Sequence, residues 1–231
     1  MLVLEGLRLR QGSFTLAADL AIPPGLTAVM GPSGGGKSTL LSAVAGFLDP
    51  EAGRVTWRGR DLTGLPPGER GVAILFQDNN LFPHLSVAQN VGLALGPRLR
   101  PGPEAAARVE AALAEVGLAG RGADRPGALS GGQQSRAALA RVLLSGAGIV
   151  LLDEAFAALG PALKDEMLDL VQAKLVDGER AVLMVSHDPD DAARVAPRTV
   201  VVAGGRATGP VETAALLADP PEALRAYLGE R

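Results

Sequence analysis

At 231 residues the chain is long enough to bury a sizeable core, and it fits one domain, or one domain with an inserted lobe, better than two. A formal net charge of -3, with Lys and Arg interspersed among Asp and Glu, provides no global basic field of the kind that holds nucleic acid. No cysteine and two histidines exclude disulfide frameworks, thiolate zinc sites, cysteine nucleophiles and a His-rich metal centre, a composition that suits a reducing cytosol.

The opening stretch, MLVLEGLRLRQGSF, sets charges among its apolar residues, so it lacks the continuous apolar core of a signal peptide and export is not expected. Residues 2–9 alternate apolar with polar side chains, and 14–22 do so again, which predicts a half-exposed antiparallel pair. LTAVMG, 26–31, is a short apolar run between PPG and a glycine-rich loop, as a buried strand feeding a turn should be, and 38–47 then reads as a helix. Further buried strands are expected at 72–76, 149–152, 181–186 and 199–203, separated by helical patterns such as 162–176. That alternation predicts an α/β fold with a mostly parallel sheet covered by helices. Between 81 and 145 strand signals vanish, while 104–116 and 133–144 have helical spacing, so a helical lobe inserted in the sheet domain is expected there. GPRLRPGP, 96–103, is the most linker-like stretch, and 212–228 reads as helix broken at DPP. No run of about 18 uninterrupted apolar residues occurs, so the chain is not expected to span a membrane.

Three stretches carry chemistry. GPSGGGKS supplies Gly31, Pro32, Ser33, Gly34, Gly35, Gly36, Lys37 and Ser38, with Thr39 next in the helix it opens. Glycines at that spacing let backbone N–H groups converge on phosphate oxygens, the helix N-terminus adds positive potential, Lys37 reaches the terminal phosphates and Ser38 ligates Mg²⁺. IVLLDE, 149–154, ends a buried strand with Asp153, placed to hold the magnesium shell, and Glu154, placed to act as general base on an attacking water. LSGGQ, 129–133, sets Ser130, Gly131, Gly132 and Gln133 at the start of a predicted helix, a second anion-binding terminus far along the chain; alone it also reads as a simple helix cap. Gln77 and His187 each follow a predicted strand at its carboxyl end, where an amide can ligate Mg²⁺ and an imidazole can contact the terminal phosphate.

With these features in order, the chain resembles the ATP-binding subunits of ABC transporters over essentially its whole length. The resemblance implies a P-loop ABC ATPase fold, ATP and Mg²⁺ as ligands, and two copies that close head to tail as a homodimer in the ATP-bound state. Each ATP would then lie between one copy's 31–39 loop and the other's Ser130 to Gln133. It further implies Gln77 as a coupling glutamine, Asp153 as magnesium support, Glu154 as base and His187 as switch histidine. Integral membrane permease subunits are the implied partners, reached through Gln77 and the following DNNLFPHLS, with Phe82 and Leu85 on the docking surface. A periplasmic substrate-binding protein is an indirect partner and nucleic acid is not one, which places the chain on the cytoplasmic face of the inner membrane as a peripheral subunit. LFQDNNLFPHLSVAQNVGLAL and LMVSHDPDDAARVAPRTVVVAGGR, together with the lack of a long C-terminal regulatory extension, look most like the subunits that serve thiamine importers.

Three departures from the family pattern stand out. Ala155 replaces the proline usual after the paired carboxylates, and Ala157, Ala158, Leu159 and Gly160 replace a Ser-Ala-Leu-Asp stretch whose aspartate helps the two copies communicate. The region that usually offers a ring to adenine has no aromatic before Phe14. Two other readings compete: a soluble ABC ATPase of DNA repair or translation, which would carry coiled-coil insertions or tandem cassettes absent here, and a module that clamps ATP without turnover, to which Ala155 and Gly160 point.

Overall fold

The computed structural model describes residues 1–99 and 102–228. It opens with strand β1, Leu2–Gln11, and strand β2, Phe14–Ile22, paired antiparallel. Simple alternation in β1 would put Leu2 and Leu4 on one face and Leu7 and Leu9 on the other. All four are buried, because the register shifts between Leu4 and Leu7 around Gly6 (φ 53°), a bulge that returns the strand to the same face. Strand β3, Gly25–Met30, feeds the glycine loop and helix α1, Lys37–Ala45. After it come strands β4, Ala52–Trp57, β5, Arg60–Asp61, and β6, Val72–Phe76.

Helices α2, Val87–Gly92, α3, Pro103–Glu115, and α4, Gly131–Ser145, fill the next region, with no strand among the described residues of 81–145. Arg100 and Pro101 of the linker-like 96–103 stretch lie outside the described residues. Strand β7, Ile149–Asp153, returns to the sheet, followed by helix α5, Pro161–Leu175, strand β8, Ala181–Val185, helix α6, Pro189–Val195, and strands β9, Arg198–Ala203, and β10, Arg206–Glu212. The expected helical tail is shorter than its sequence pattern: Glu212 still belongs to β10, and helices α7, Thr213–Ala218, and α8, Glu222–Leu228, flank the break at 219–221.

One ten-stranded sheet results, in the order β5-β4-β1-β2-β10-β9-β3-β8-β7-β6. Strands β9, β3, β8, β7 and β6 run parallel, as the buried apolar runs predict. Their side chains divide by the period of two. Val150, Leu152, Val182 and Met184 face a core with α4 and α5, whereas Ile149, Leu151, Leu183 and Val185 face a core with α1 and the N-terminal strands. Two-sided burial explains why these strands read as continuous apolar runs. The register aligns Phe76 with Asp153 and Asp153 with Val185, so the residues that follow all three strands leave the sheet at one edge.

Strands β4, β5 and β10 and helix α6 carry no pattern that the sequence reading used. RATGPVE, with Gly and Pro inside it, is held as β10 by antiparallel pairing to β9 and a short parallel contact with β2.

Candidate functional site

The loop between β3 and α1 is closely packed. A Cβ at Gly31 (φ 151°) would lie 2.0 Å from the Val202 carbonyl oxygen, and one at Gly36 (φ 104°) would meet the Phe14 ring at 2.8 Å. Glycine at these points lets the backbone turn closely against β9 and β2. Lys37, at the first position of α1, is 6% exposed, and its Nζ donates to the carbonyls of Gly31 (2.8 Å) and Pro32 (3.0 Å). Burial lowers its pKa, against the opposing pull of Glu154 and Asp153. Ser33, Gly34, Gly36, Lys37, Ser38 and Thr39 line a groove of about 610 Å³ together with Gln11, Phe14, Glu154 and His187.

A second hollow, of about 810 Å³, shares Ser38 and Glu154 with the first and adds Gln77, Asp78, Asn80, Asp153 and Ala158. Ser38 Oγ stands 3.5 Å from Asp153 Oδ1, so a hydroxyl and a carboxylate 115 residues apart in the chain meet beside the lysine. Burial pushes the Asp153 carboxyl above its ordinary value; the Ser38 hydrogen bond opposes the shift and the neighbouring Glu154 adds to it. A hydroxyl, one carboxylate and the amide oxygen of Gln77 are hard donors of the kind Mg²⁺ takes alongside phosphates and water. Among the described residues no group of three or more His, Cys, Asp or Glu could hold a metal by itself.

Glu154 has φ 52°, a left-handed conformation unusual for a side chain of its size. It turns the carboxylate from the end of β7 towards His187, whose Nε2 lies 2.5 Å from Glu154 Oε1. Lys37, Ser38, Thr39, Gln77, Asp153, Glu154 and His187 thus come to one edge of the sheet. Ser130, Gly131, Gly132 and Gln133 do not line either hollow. Ser130 caps α4, accepting from Gln133 N (3.3 Å) while the Gln133 side chain accepts from Ser130 N (3.0 Å). Ser130 and Gly131 are exposed.

The family model described as ABC transporter matches residues 17–157, which include the glycine loop, Gln77, LSGGQ and the Asp153–Glu154 pair. The chain belongs to the ABC transporter family. This ABC transporter chain is 61% identical over 230 residues to the thiamine import ATP-binding protein ThiQ of Cereibacter sphaeroides, covering 99% of the chain and 100% of that protein. ThiQ of Ruegeria sp. strain TM1040 is 56% identical over the same coverage. Among solved structures, the dimeric post-hydrolysis state of the ATP-binding cassette MJ0796, bound to ADP and Pi, superposes with a TM-score of 0.77 at 27% identity, over 92% of this chain and 99% of that one.

The departures from the ABC transporter pattern fold without difficulty. Gly160 N-caps α5 with φ -65° and ψ 157°, and Pro161 takes the first helical position. Ala155 is buried and lines a cavity of about 350 Å³ behind Glu154, shared with Leu159, Lys164, His187 and Asp191. Phe14 reaches the groove although it lies later in the chain than the family's usual ring.

Two structural residues escaped the sequence reading because nothing local marks them. Buried Asn90 in α2 accepts from Phe82 N (2.7 Å) and donates to the carbonyls of Phe82, Leu85 and Ser86, shaping the loop after Gln77. Arg141, in α4, donates to the carbonyls of Asn80 (2.7 Å) and Asn79 (3.1 Å), both residues left-handed. The expectation that Leu85 lies on a docking surface is corrected. Leu85 is 7% exposed and supports the loop from inside, while Phe82 is 43% exposed. No helix among the described residues is long and apolar enough to cross a membrane.

Proposed function

We propose that the chain is the ATP-hydrolysing subunit of a thiamine importer, a peripheral protein on the cytoplasmic face of the inner membrane that closes as a homodimer when ATP binds. The observation that carries this reading is identity of 61% with ThiQ over nearly the whole chain, well beyond the motifs common to the ABC transporter family. The backbone of residues 31–39 cradles the phosphates, and Lys37 exchanges its two loop carbonyls for phosphate oxygens. Ser38, Gln77 and Asp153 would hold Mg²⁺, which when bound screens the phosphate charge. Glu154 takes the proton of the attacking water, and His187 contacts the terminal phosphate. Phe14 offers its ring to adenine.

Ser130, Gly131, Gly132 and Gln133 line neither groove of their own chain, which supports completion of each site by a second copy. The helical region 81–145 acts as a subdomain, carrying both the exposed Phe82 that meets the permease and the exposed Ser130. A periplasmic thiamine-binding protein delivers the solute, and nucleic acid has no part. Reconstitution with a thiamine-importer permease tests the assignment: ATP-dependent uptake of labelled thiamine, abolished by Glu154→Gln, is expected. Turnover that responds to another small solute and not to thiamine would overturn the substrate while leaving the ATPase intact.

A further inference from the structure

The last helix brings an aromatic residue into the site from the far end of the chain. Leu224 of α8 is fully buried in the core that also holds Met184 and Val201, which fixes the helix against the sheet. One turn on, the Tyr227 hydroxyl lies 3.3 Å from His187 Nδ1, and the Tyr227 ring centroid lies 5.9 Å from Lys37 Nζ, within cation–π range. Tyr227 has no part in the nucleotide chemistry assigned to the other residues of the site, and the match to the family model ends well before it, at residue 157.

With His187 as a neutral imidazole, the hydrogen bonds around it have one consistent assignment. Nε2 faces Glu154 Oε1 at 2.5 Å. An ionised carboxylate only accepts, so Nε2 carries the hydrogen; in the neutral imidazole Nδ1 is then an acceptor, and its partner must be a donor. Tyr227 can be that donor. Burial, with Glu154 and Asp188 adding to it, pushes the phenol above its ordinary value, so it keeps its proton at neutral pH.

We propose that Tyr227 is a positioning residue for His187: its hydroxyl donates to Nδ1 and holds the ring in the orientation and tautomer that present Nε2–H to the Glu154 carboxylate and to the site of the terminal phosphate. The partner of one ring nitrogen decides what the other nitrogen offers. Because Glu154 already draws on Nε2, the hydroxyl chiefly fixes the ring plane and excludes the flipped ring, in which a carbon would face Glu154. The inference rests on the reading of His187 as the phosphate contact.

The chain has two histidines, so ¹⁵N-labelled imidazole resonances of the full-length, nucleotide-free protein can be assigned with one variant, His84→Gln. Tyr227→Phe keeps the ring and its place beside Lys37 while removing the hydroxyl. In that variant the His187 Nδ1 resonance should move towards that of an unbonded, unprotonated nitrogen, and Nε2–H should exchange faster with water. Its kcat for Mg-ATP should fall about two- to tenfold, the worth of one net hydrogen bond, with KM for ATP unchanged within about twofold. Tyr227→Ala should reproduce the kcat loss and also raise KM, because the Lys37 contact goes with the ring. Unmoved His187 resonances in Tyr227→Phe overturn the proposal, and so do moved resonances with an unchanged kcat, which would leave a contact without a part in turnover. The site reading fails separately: full turnover in His187→Ala removes the role of the imidazole, whatever the resonances of the unmodified protein show.

Discussion

His187 Nε2 lies 2.5 Å from Glu154 Oε1, so the group proposed to contact the terminal phosphate and the group proposed to activate water are joined to each other in the nucleotide-free chain. Activating water requires Glu154 to exchange that partner. The left-handed backbone at Glu154 keeps the carboxylate at the rim of both hollows, where the exchange needs only a side-chain movement. Glu154→Gln should therefore bind Mg-ATP and lower turnover at least about 10²-fold, the lower end for a lost general base. Slowed hydrolysis should also trap the homodimer. Sedimentation that shows only monomer at saturating Mg-ATP would count against the paired-site arrangement.

Asp153 is half-buried at the end of β7, and its carboxyl is held above its ordinary value chiefly by burial. A raised carboxyl favours its protonated form in the folded chain, so the stability it contributes is present below its unfolded value and is lost as pH rises through the folded one. At neutral pH the charged carboxylate is a cost to the nucleotide-free fold. Asp153→Asn should raise the melting temperature of the free chain by on the order of 1 to 3 °C and remove the further rise produced by Mg-ATP. A lower melting temperature without ligand would mean that the Ser38 and Lys37 contacts outweigh desolvation.

Phe14 lies against Gly36 and lines the groove of the glycine loop. Base stacking on an aromatic ring is worth about 1 to 3 kcal/mol. Phe14→Ala should weaken ATP binding roughly 5- to 100-fold, read by titration calorimetry, and leave inorganic tripolyphosphate binding unchanged. Equal weakening of both ligands would assign Phe14 to the shape of the loop instead of to the base.

The Asn90 side chain contacts four backbone groups of residues 82–86, accepting from one N–H and sharing its two amide hydrogens among three carbonyls. Asn90→Ala should cost about 1 to 3 kcal/mol through unpaired buried groups and lower the melting temperature by roughly 2 to 10 °C. In the assembled transporter it should reduce uptake more than it reduces basal ATP hydrolysis. Phe82→Ala removes an exposed ring. It should match the loss of uptake at an unchanged melting temperature, which separates contact with the permease from support of the loop.

Gly160 caps α5 through its backbone alone, without a side-chain hydrogen bond. Gly160→Asp should fit the same cap and stabilise the helix by a few tenths of a kcal/mol. If the family aspartate carries communication between copies, the Hill coefficient for ATP should rise more than ATP affinity does. A changed affinity at an unchanged Hill coefficient would remove that role from position 160.

The sequence by itself determined the α/β class, the parallel strands and the local strand, turn or cap that carries each motif. Buried strands, glycine loops and helix starts are written in neighbouring residues, and IVLLDE or GPSGGGKS carries its own strand, turn and cap. The LSGGQ stretch was equally legible as a helix start, and Ser130 with Gln133 forms that reciprocal cap. Tertiary structure decided what depends on contacts distant in sequence. β10 exists because β9 and β2 pair with a segment whose own pattern is poor, and Leu85 is inside because Asn90, five residues on, folds the loop over it. Phe14 became part of the groove only when β2 was laid beside α1, and Tyr227 met His187, 40 residues earlier in the chain, only when Leu224 was buried. A side chain's partner across the sheet is set by register and packing, which no local periodicity encodes.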